Sequence, residues 1–475
     1  MTESAWRGSE ILELGRDSNV AGQEALPVSA ARYSAHQCRT GVQGRSGSPR
    51  RSWSALLSFS LTLMILVFVG RIQEKIPGLS SASLGNIAVV LSIIGLAQVG
   101  YLRDWRRVLA APQGKLAAWF VAVAAFSIPF ALWPGGAFKS FVAFLTIGVL
   151  YAVVVVAVRR PRQLLYLTFV FAVGAAILVS AYVIDWLIGT GGLTKQEFVA
   201  FDRNDVALLS VMGIPFALAI SVKGGRWLWL GFILAGFLAL GVIATDSRGG
   251  FLALVATCSL ILIRSRFLSS GKKIALVGLG VGILLVGGSS EYWNRIEAIF
   301  VSPSEDYNVA SRDGRVEVWK RGIGYFGDNP LTGVGMGNFP VAEEASLDEG
   351  GSTGKWNTAH SSYVLVAAEL GIGGLIIFVA LLLSIGRQAR HTARAFRRQQ
   401  RSSLAELSAV ADATQYSLVG YAVGGAFLSA SFSVSFVFLI AVGACLCLLT
   451  RSEISILQRV RPNEFGSSGG YVGQR

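Results

Sequence analysis

The chain has 475 residues, 53% of them hydrophobic and only 15% charged, with 55 glycines and a mean hydropathy of +0.56. That composition is too apolar for an ordinary soluble domain, and apolar stretches of roughly 17 to 25 residues recur, each able to cross a hydrocarbon core of about 30 Å as a helix. The net charge of +14 could suit a nucleic-acid binder, but the excess is spread over loops between apolar stretches, so that class is excluded.

In chain order, residues 1–53 are polar, rich in Ser, Gly and Arg and without a sustained period, as expected of a disordered cytoplasmic tail. The apolar stretch after Arg51 lacks a small-residue cleavage site and is followed by further spans, so it reads as the first helix and not as a signal peptide. Spans are predicted near 54–71, 84–101, 116–133, 138–158, 164–186, 205–222, 226–244, 249–263, 274–288, 360–386, 415–430 and 433–450. The fold class is therefore all-α, a polytopic transmembrane bundle of about 12 spans. Residues 54–288 supply spans one to nine, 289–359 a large outer loop, 360–450 the last three spans, and 451–475 a cytoplasmic tail. The small-residue break from Ser429 to Ser435 leaves open a re-entrant hairpin in place of the last two spans.

Basic residues of short loops stay on the cytoplasmic side. Arg103, Arg106 and Arg107, then Arg159, Arg160 and Arg162, then Lys223 and Arg226, then Arg264 to Lys273, then Arg387 to Arg401 fall in alternate loops. With both tails these loops carry 30 of the 42 basic residues and 10 of the 28 acidic ones, which sets them and both termini in the cytoplasm. None of Cys38, Cys258, Cys445 and Cys447 lies in the large outer loop, so no disulfide framework is implied there.

That outer loop, 289–359, is expected to be periplasmic and to carry function, because long loops in compact chains usually do. Within it Arg315, Val316, Trp319, Ile323 and Phe326 recur at helical spacing, with Asp313 as N-cap. The pattern predicts a short amphipathic helix along the outer membrane face, anchored there by Trp319. "DNPLTGVGMGNF" follows, with Gly333, Gly335 and Gly337 alternating. It lacks the strand and helix of a dinucleotide fingerprint, and reads either as a tight irregular turn or as backbone approaching an anionic ligand.

Of three histidines, His36 lies in the tail, His391 among cytoplasmic arginines, and His360 alone at the outer mouth of span ten. It reads as a helix-capping interfacial residue or as a functional one. Arg248, beside Asp246 in a very short outer connection, and Arg203, flanked by Asp202, Asn204 and Asp205, are costly placements unless they snorkel or find a partner. The acids around Arg203 read equally as helix caps. Arg312 and Arg315 would share a helix face. Several arginines and one imidazole at one rim suit a diphosphate, since guanidinium is permanently charged and forks onto phosphate oxygens. Glu369 lies about half a turn out of phase with His360 and reads as a structural hydrogen bond, with Gly371, Gly373 and Gly374 allowing close helix approach.

The "SRG" arginine, the long-loop arginine separated by three residues from a tryptophan, "NPLTGVGMGNF" and "HSSYVLVAAELGIGGL" together resemble the O-antigen ligase-like superfamily over roughly residues 200 to 385. The resemblance implies an enzyme of the bacterial inner membrane. It would take a glycan from undecaprenyl diphosphate at the periplasmic face and pass it to an acceptor hydroxyl, a lipid A core sugar or a growing glycan, without nucleotide sugar or cofactor. It also implies that Arg248 and Arg315 bind the diphosphate, with Arg203 and Arg312 as weaker additions, and that His360 assists the acceptor. The chemistry fits, because imidazole titrates near neutrality and fixed arginines can neutralise a departing diphosphate without a metal. Asp202, Asp205 and Asp246 keep a metal site open. A polymerase joining lipid-linked repeat units is the alternative within the class. A transporter of lipid-linked sugar or a small anion is the alternative outside it, and would place its charges near the midplane in repeated halves. No internal repeat is visible, and no added soluble region points to a protein glycosyltransferase.

Overall fold

The computed structural model describes residues 53–75, 84–188, 201–264, 270–271, 274, 278, 314–348, 358–397 and 402–460. Among them every long element is helical and no strand forms. The α-helices of ten residues or more are α1 (Ala55–Phe68), α2 (Leu84–Gln98), α3 (Pro112–Ser127), α4 (Pro134–Ala157), α5 (Pro161–Ile188), α6 (Arg203–Ala219), α7 (Arg226–Ala244), α8 (Arg248–Arg264), α9 (Arg315–Asp328), α10 (Phe339–Asp348), α11 (Ser362–Phe396), α12 (Ser402–Gly425) and α13 (Val434–Val460).

Local chemistry sets their starts. Pro112, Pro134 and Pro161 stand at the first helical positions of α3, α4 and α5, where a missing N–H costs nothing and the fixed φ suits the helix. Ser54 caps α1 by accepting from the Leu57 N–H over 3.1 Å. Asp202 accepts from the backbone of Asn204 and Asp205 while the Asp205 carboxylate takes the Asp202 N–H, a reciprocal capping box that opens α6. The acids flanking Arg203 therefore serve as caps.

Among the described residues seven helices are long and apolar enough to cross a membrane, or eight if α2 and the 3₁₀ segment Tyr101–Leu109, bent by 112°, count as one span. Three further predicted spans are helical but fall short of that length or composition. α1 has only 14 residues and α8 only 17, about 21 and 26 Å long at 1.5 Å per residue. α12 begins at Ser402, earlier than the sequence pattern placed it, and its buried Glu406, Asp412 and hydroxyl side chains leave it short of a span's apolar composition. The ninth predicted span, 274–288, lies almost wholly outside the described residues, as do the N-terminal tail and residues 461–475, whereas residues 451–460 of the predicted C-terminal tail continue α13 to Val460. The break at Ser429 to Ser435 separates two helices, α12 and α13.

One apolar core runs through the bundle, with an aromatic knot of Phe120, Phe144, Phe378, Phe432 and Phe436 in edge and stacked contacts. Outward-facing Trp119, Phe126, Phe138, Trp229 and Ile233 are each more than half exposed. Such a surface is stable only against another apolar medium, which lipid supplies.

The two loop sets separate to opposite ends. At one end Arg159 pairs with Asp104 at 3.0 Å, Arg107 donates to the Val158 carbonyl at 3.0 Å, Arg162 lies 3.6 Å from Glu406 and Arg451 donates to the Ala110 carbonyl at 3.1 Å. α6, α11 and α12 bridge that end and the other, where the start of α6, the α7–α8 turn, α9, α10, the start of α11 and the α12–α13 connection meet.

Candidate functional site

α9 forms where the apolar spacing predicts, but a different face is buried. Val318 and Gly322 are inside, whereas Val316 and Ile323 of the predicted stripe face out, Ile323 at 61% exposure. The inner face meets α10 and α11 in a satellite core of Val318, Phe339, Ala359, Leu365 and Ala368. A Cβ on Gly322 would stand 2.5 Å from Val364 Cγ1, so glycine is what lets α9 approach α11. Trp319 is half-buried on α9. Its indole N–H donates to the Ala359 carbonyl over 3.0 Å, tying α9 to the residue before His360. The N-cap of α9 is Gly314, which makes no side-chain cap; the predicted cap Asp313 and the candidate Arg312 lie outside the described residues.

Arg321 and Glu343 lock α9 to α10 through a bidentate pair of 2.9 and 2.6 Å, and Tyr325 adds its hydroxyl to the same carboxylate at 2.9 Å. The Glu343 side chain is fully buried. Its hydrogen bond raises the pKa of Arg321, and burial, assisted by Glu343, pushes the Tyr325 phenol up to about 12. Nothing in the sequence pattern singled out Glu343; the four-residue step from Arg321 to Tyr325, which puts two polar groups on one face, is the signal that could have.

The glycine-alternating segment resolves as a tight turn. Gly333, Gly335 and Gly337 all have positive φ, as does Gly371 in the break of α11. The Val334 and Gly335 N–H groups donate to the Ala368 and Glu369 carbonyls at 2.8 and 3.1 Å, and the Ile372 N–H donates to the Pro330 carbonyl at 2.8 Å. The Gly333 N–H goes to Asn329, and Phe339 and Gly337 donate to the Glu369 carboxylate, Phe339 at 3.1 Å. These amides are used inside the protein, which removes the anion-cradle alternative. Glu369 is the structural hydrogen-bonding group expected of it. Of the three glycines near it, Gly371 admits a close neighbour, and that neighbour is the turn and not a helix.

His360 is half-buried with φ +48, a left-handed conformation that costs a non-glycine residue energy. Ser361, next in the chain, caps α11, and Thr358 donates to Ser429 at 2.8 Å. Burial lowers the His360 pKa below 6.5, Arg315 lowers it further, and Asp202 partly opposes them. These three groups, from the start of α11, the start of α9 and the cap of α6, are therefore electrostatic neighbours. Asp246 also has positive φ, +53, in the turn that presents Arg248 as the first residue of α8. Ser247 of that turn donates to Asn204 Oδ1 at 2.8 Å, fastening Arg248's turn to the start of α6. Arg248 and Arg315 are half-buried and engaged by other groups, while Arg203 is exposed on the first turn of α6.

The described residues form the all-helical bundle of a multi-pass membrane protein, with Arg248, Arg315 and His360 at one end. Residues 233–379 match the O-antigen ligase family, and over this segment, from α7 to the middle of α11, the chain is O-antigen ligase-like. The match contains Arg248, Arg315, His360 and the glycine turn, and leaves out Arg203. No curated protein matches the chain.

Proposed function

We propose that the protein is a membrane glycosyltransferase that moves a glycan from undecaprenyl diphosphate to an acceptor hydroxyl at the periplasmic face, with the end bearing His360 outside and both termini in the cytoplasm of a bacterial inner-membrane protein. The observation that carries the reading is the electrostatic grouping of His360 with Arg315, beside the α6 cap to which Arg248's turn is fastened. In the reaction the acceptor oxygen attacks the anomeric carbon as the carbon–oxygen bond to the diphosphate breaks. The leaving lipid diphosphate keeps the electron pair, and the hydroxyl proton passes to the His360 imidazole. A lowered pKa keeps that imidazole unprotonated at neutral pH, and Arg248 and Arg315 stabilise the charge on the leaving group. Arg203 and Arg312 are weaker additions to the diphosphate site.

The placement of these groups at helix ends supports an enzyme over a transporter, which would hold its charges near the bilayer midplane. Ligase and polymerase differ in the acceptor, a lipid A core sugar or a growing glycan, and the same site serves both.

The test is reconstitution in vesicles with undecaprenyl diphosphate glycan and each acceptor in turn, with and without chelator. Transfer is expected in the wild type and lost in His360→Ala and Arg248→Ala. Transfer that survives both substitutions overturns the site, and loss with chelator alone overturns the metal-free mechanism. Lengthening of the donor glycan without a core acceptor would identify a polymerase.

A further inference from the structure

The Trp319 indole sits where the elements of the site meet. It lies one turn after Arg315 on α9 and donates its N–H to the Ala359 carbonyl at 3.0 Å. Its ring packs on Phe427, with centroids 6.2 Å apart and planes inclined by 42°. Phe427 Cβ in turn lies 3.0 Å from where a Cβ on Gly249 would be, directly after Arg248. From these contacts we propose that Trp319 is a positioning residue for glycan transfer. Through Ala359 it fixes His360 against Arg315, and through Phe427 it fixes the turn that carries Arg248. The inference rests on the glycosyltransferase reading above.

The hydrogen bond matters because the Ala359 carbonyl and the His360 N–H belong to one peptide plane. Holding the oxygen holds the plane about which the His360 φ of +48 is set. A β-region or right-handed conformation is intrinsically favoured for a histidine, so without that bond the peptide is free to turn over and carry the imidazole away. The charged groups acting on the imidazole are Arg315 from α9 and Asp202 from the cap of α6. A ring that swings out of this pocket loses both its burial and its proximity to Arg315, and its pKa returns toward the ordinary histidine value. On the other branch, the Phe427 side chain closes against Gly249, so the α12–α13 connection meets the start of α8 directly after Arg248.

Two substitutions separate the branches in the vesicle assay. Trp319→Phe keeps an aromatic ring toward Phe427 but removes the N–H. It is expected to lower kcat/KM about tenfold, the scale of a small misplacement of a catalytic group, and to move the acid limb of the pH profile to higher pH. Phe427→Ala leaves the indole hydrogen bond in place. It is expected to raise KM for the lipid diphosphate donor several-fold while the acid limb keeps its wild-type position.

Wild-type kinetics in Trp319→Phe would overturn the proposal. So would a loss of activity that scales the whole pH profile without moving the limb, because that is what lower folded content alone produces. An unchanged donor KM in Phe427→Ala would overturn the link to Arg248. Transfer retained by His360→Ala in the same vesicles would instead mark the failure of the underlying reading.

Discussion

Gly371→Ala tests how the glycine turn is held to α11. Gly371 has φ +66, and an added Cβ would lie 2.6 Å from the Pro330 carbonyl oxygen and 2.7 Å from the Leu331 carbonyl carbon and oxygen. All are backbone atoms, so no side chain can rotate aside. The left-handed conformation costs alanine about 1 kcal/mol more than glycine. Moving the turn away breaks the bonds from Val334 to Ala368, Gly335 to Glu369 and Ile372 to Pro330, each contributing about 1 kcal/mol net. The sum is about 4 kcal/mol, roughly a thousandfold in the equilibrium between the docked and released turn. Hydrogen exchange of peptides spanning 329–338 and 368–373 reads this directly, and glycan transfer should fall with it because the turn connects α9 to α11. Gly373→Ala is the matched control. Its Cβ would meet nothing closer than Val123 Cγ2 at 4.0 Å, and alanine favours the helix by up to about 1 kcal/mol. Equal exchange in the two variants would refute the reasoning.

Three further outcomes follow from other contacts. Arg315→Gln removes one of the two influences lowering the His360 pKa, so the imidazole protonates at a higher pH and the acid limb of activity moves up; an unmoved limb means Arg315 does not act on His360. Arg321→Met strips the cation from the fully buried Glu343 and should destabilise the α9–α10 pair by about 3 kcal/mol, seen as a lower thermal midpoint in detergent, whereas Arg321→Met combined with Glu343→Leu should recover most of it. Cysteines placed at exposed Lys320 and Lys223 should be labelled by an impermeant reagent from outside the cell only at position 320; labelling of 223 instead would reverse the proposed orientation.

Where apolar length decides, sequence and structure agree. α3 to α7, α11 and α13 lie close to predicted spans because an uninterrupted apolar run in lipid has few ways to satisfy its backbone other than a helix. Among the described residues α1, α8 and α12 fall short of a span's length or apolar composition, a difference that local hydrophobicity alone does not register. The capping role of Asp202 and Asp205 was readable as one of two alternatives, because an N-cap is a contact within three residues.

The sequence by itself determined the apolar spans, the alternation of basic loops and the arginines and histidine set at helix ends, since each depends only on residue type and near neighbours. Only the tertiary structure decided what those groups touch. The grouping of His360 with Arg315 and Asp202, the turn of Trp319 toward Ala359 and the use of the glycine-turn amides by α11 all join positions far apart in the chain. No periodicity encodes such pairings. They arise when separate helices pack and each buried polar group must find its complement where the fold has brought one.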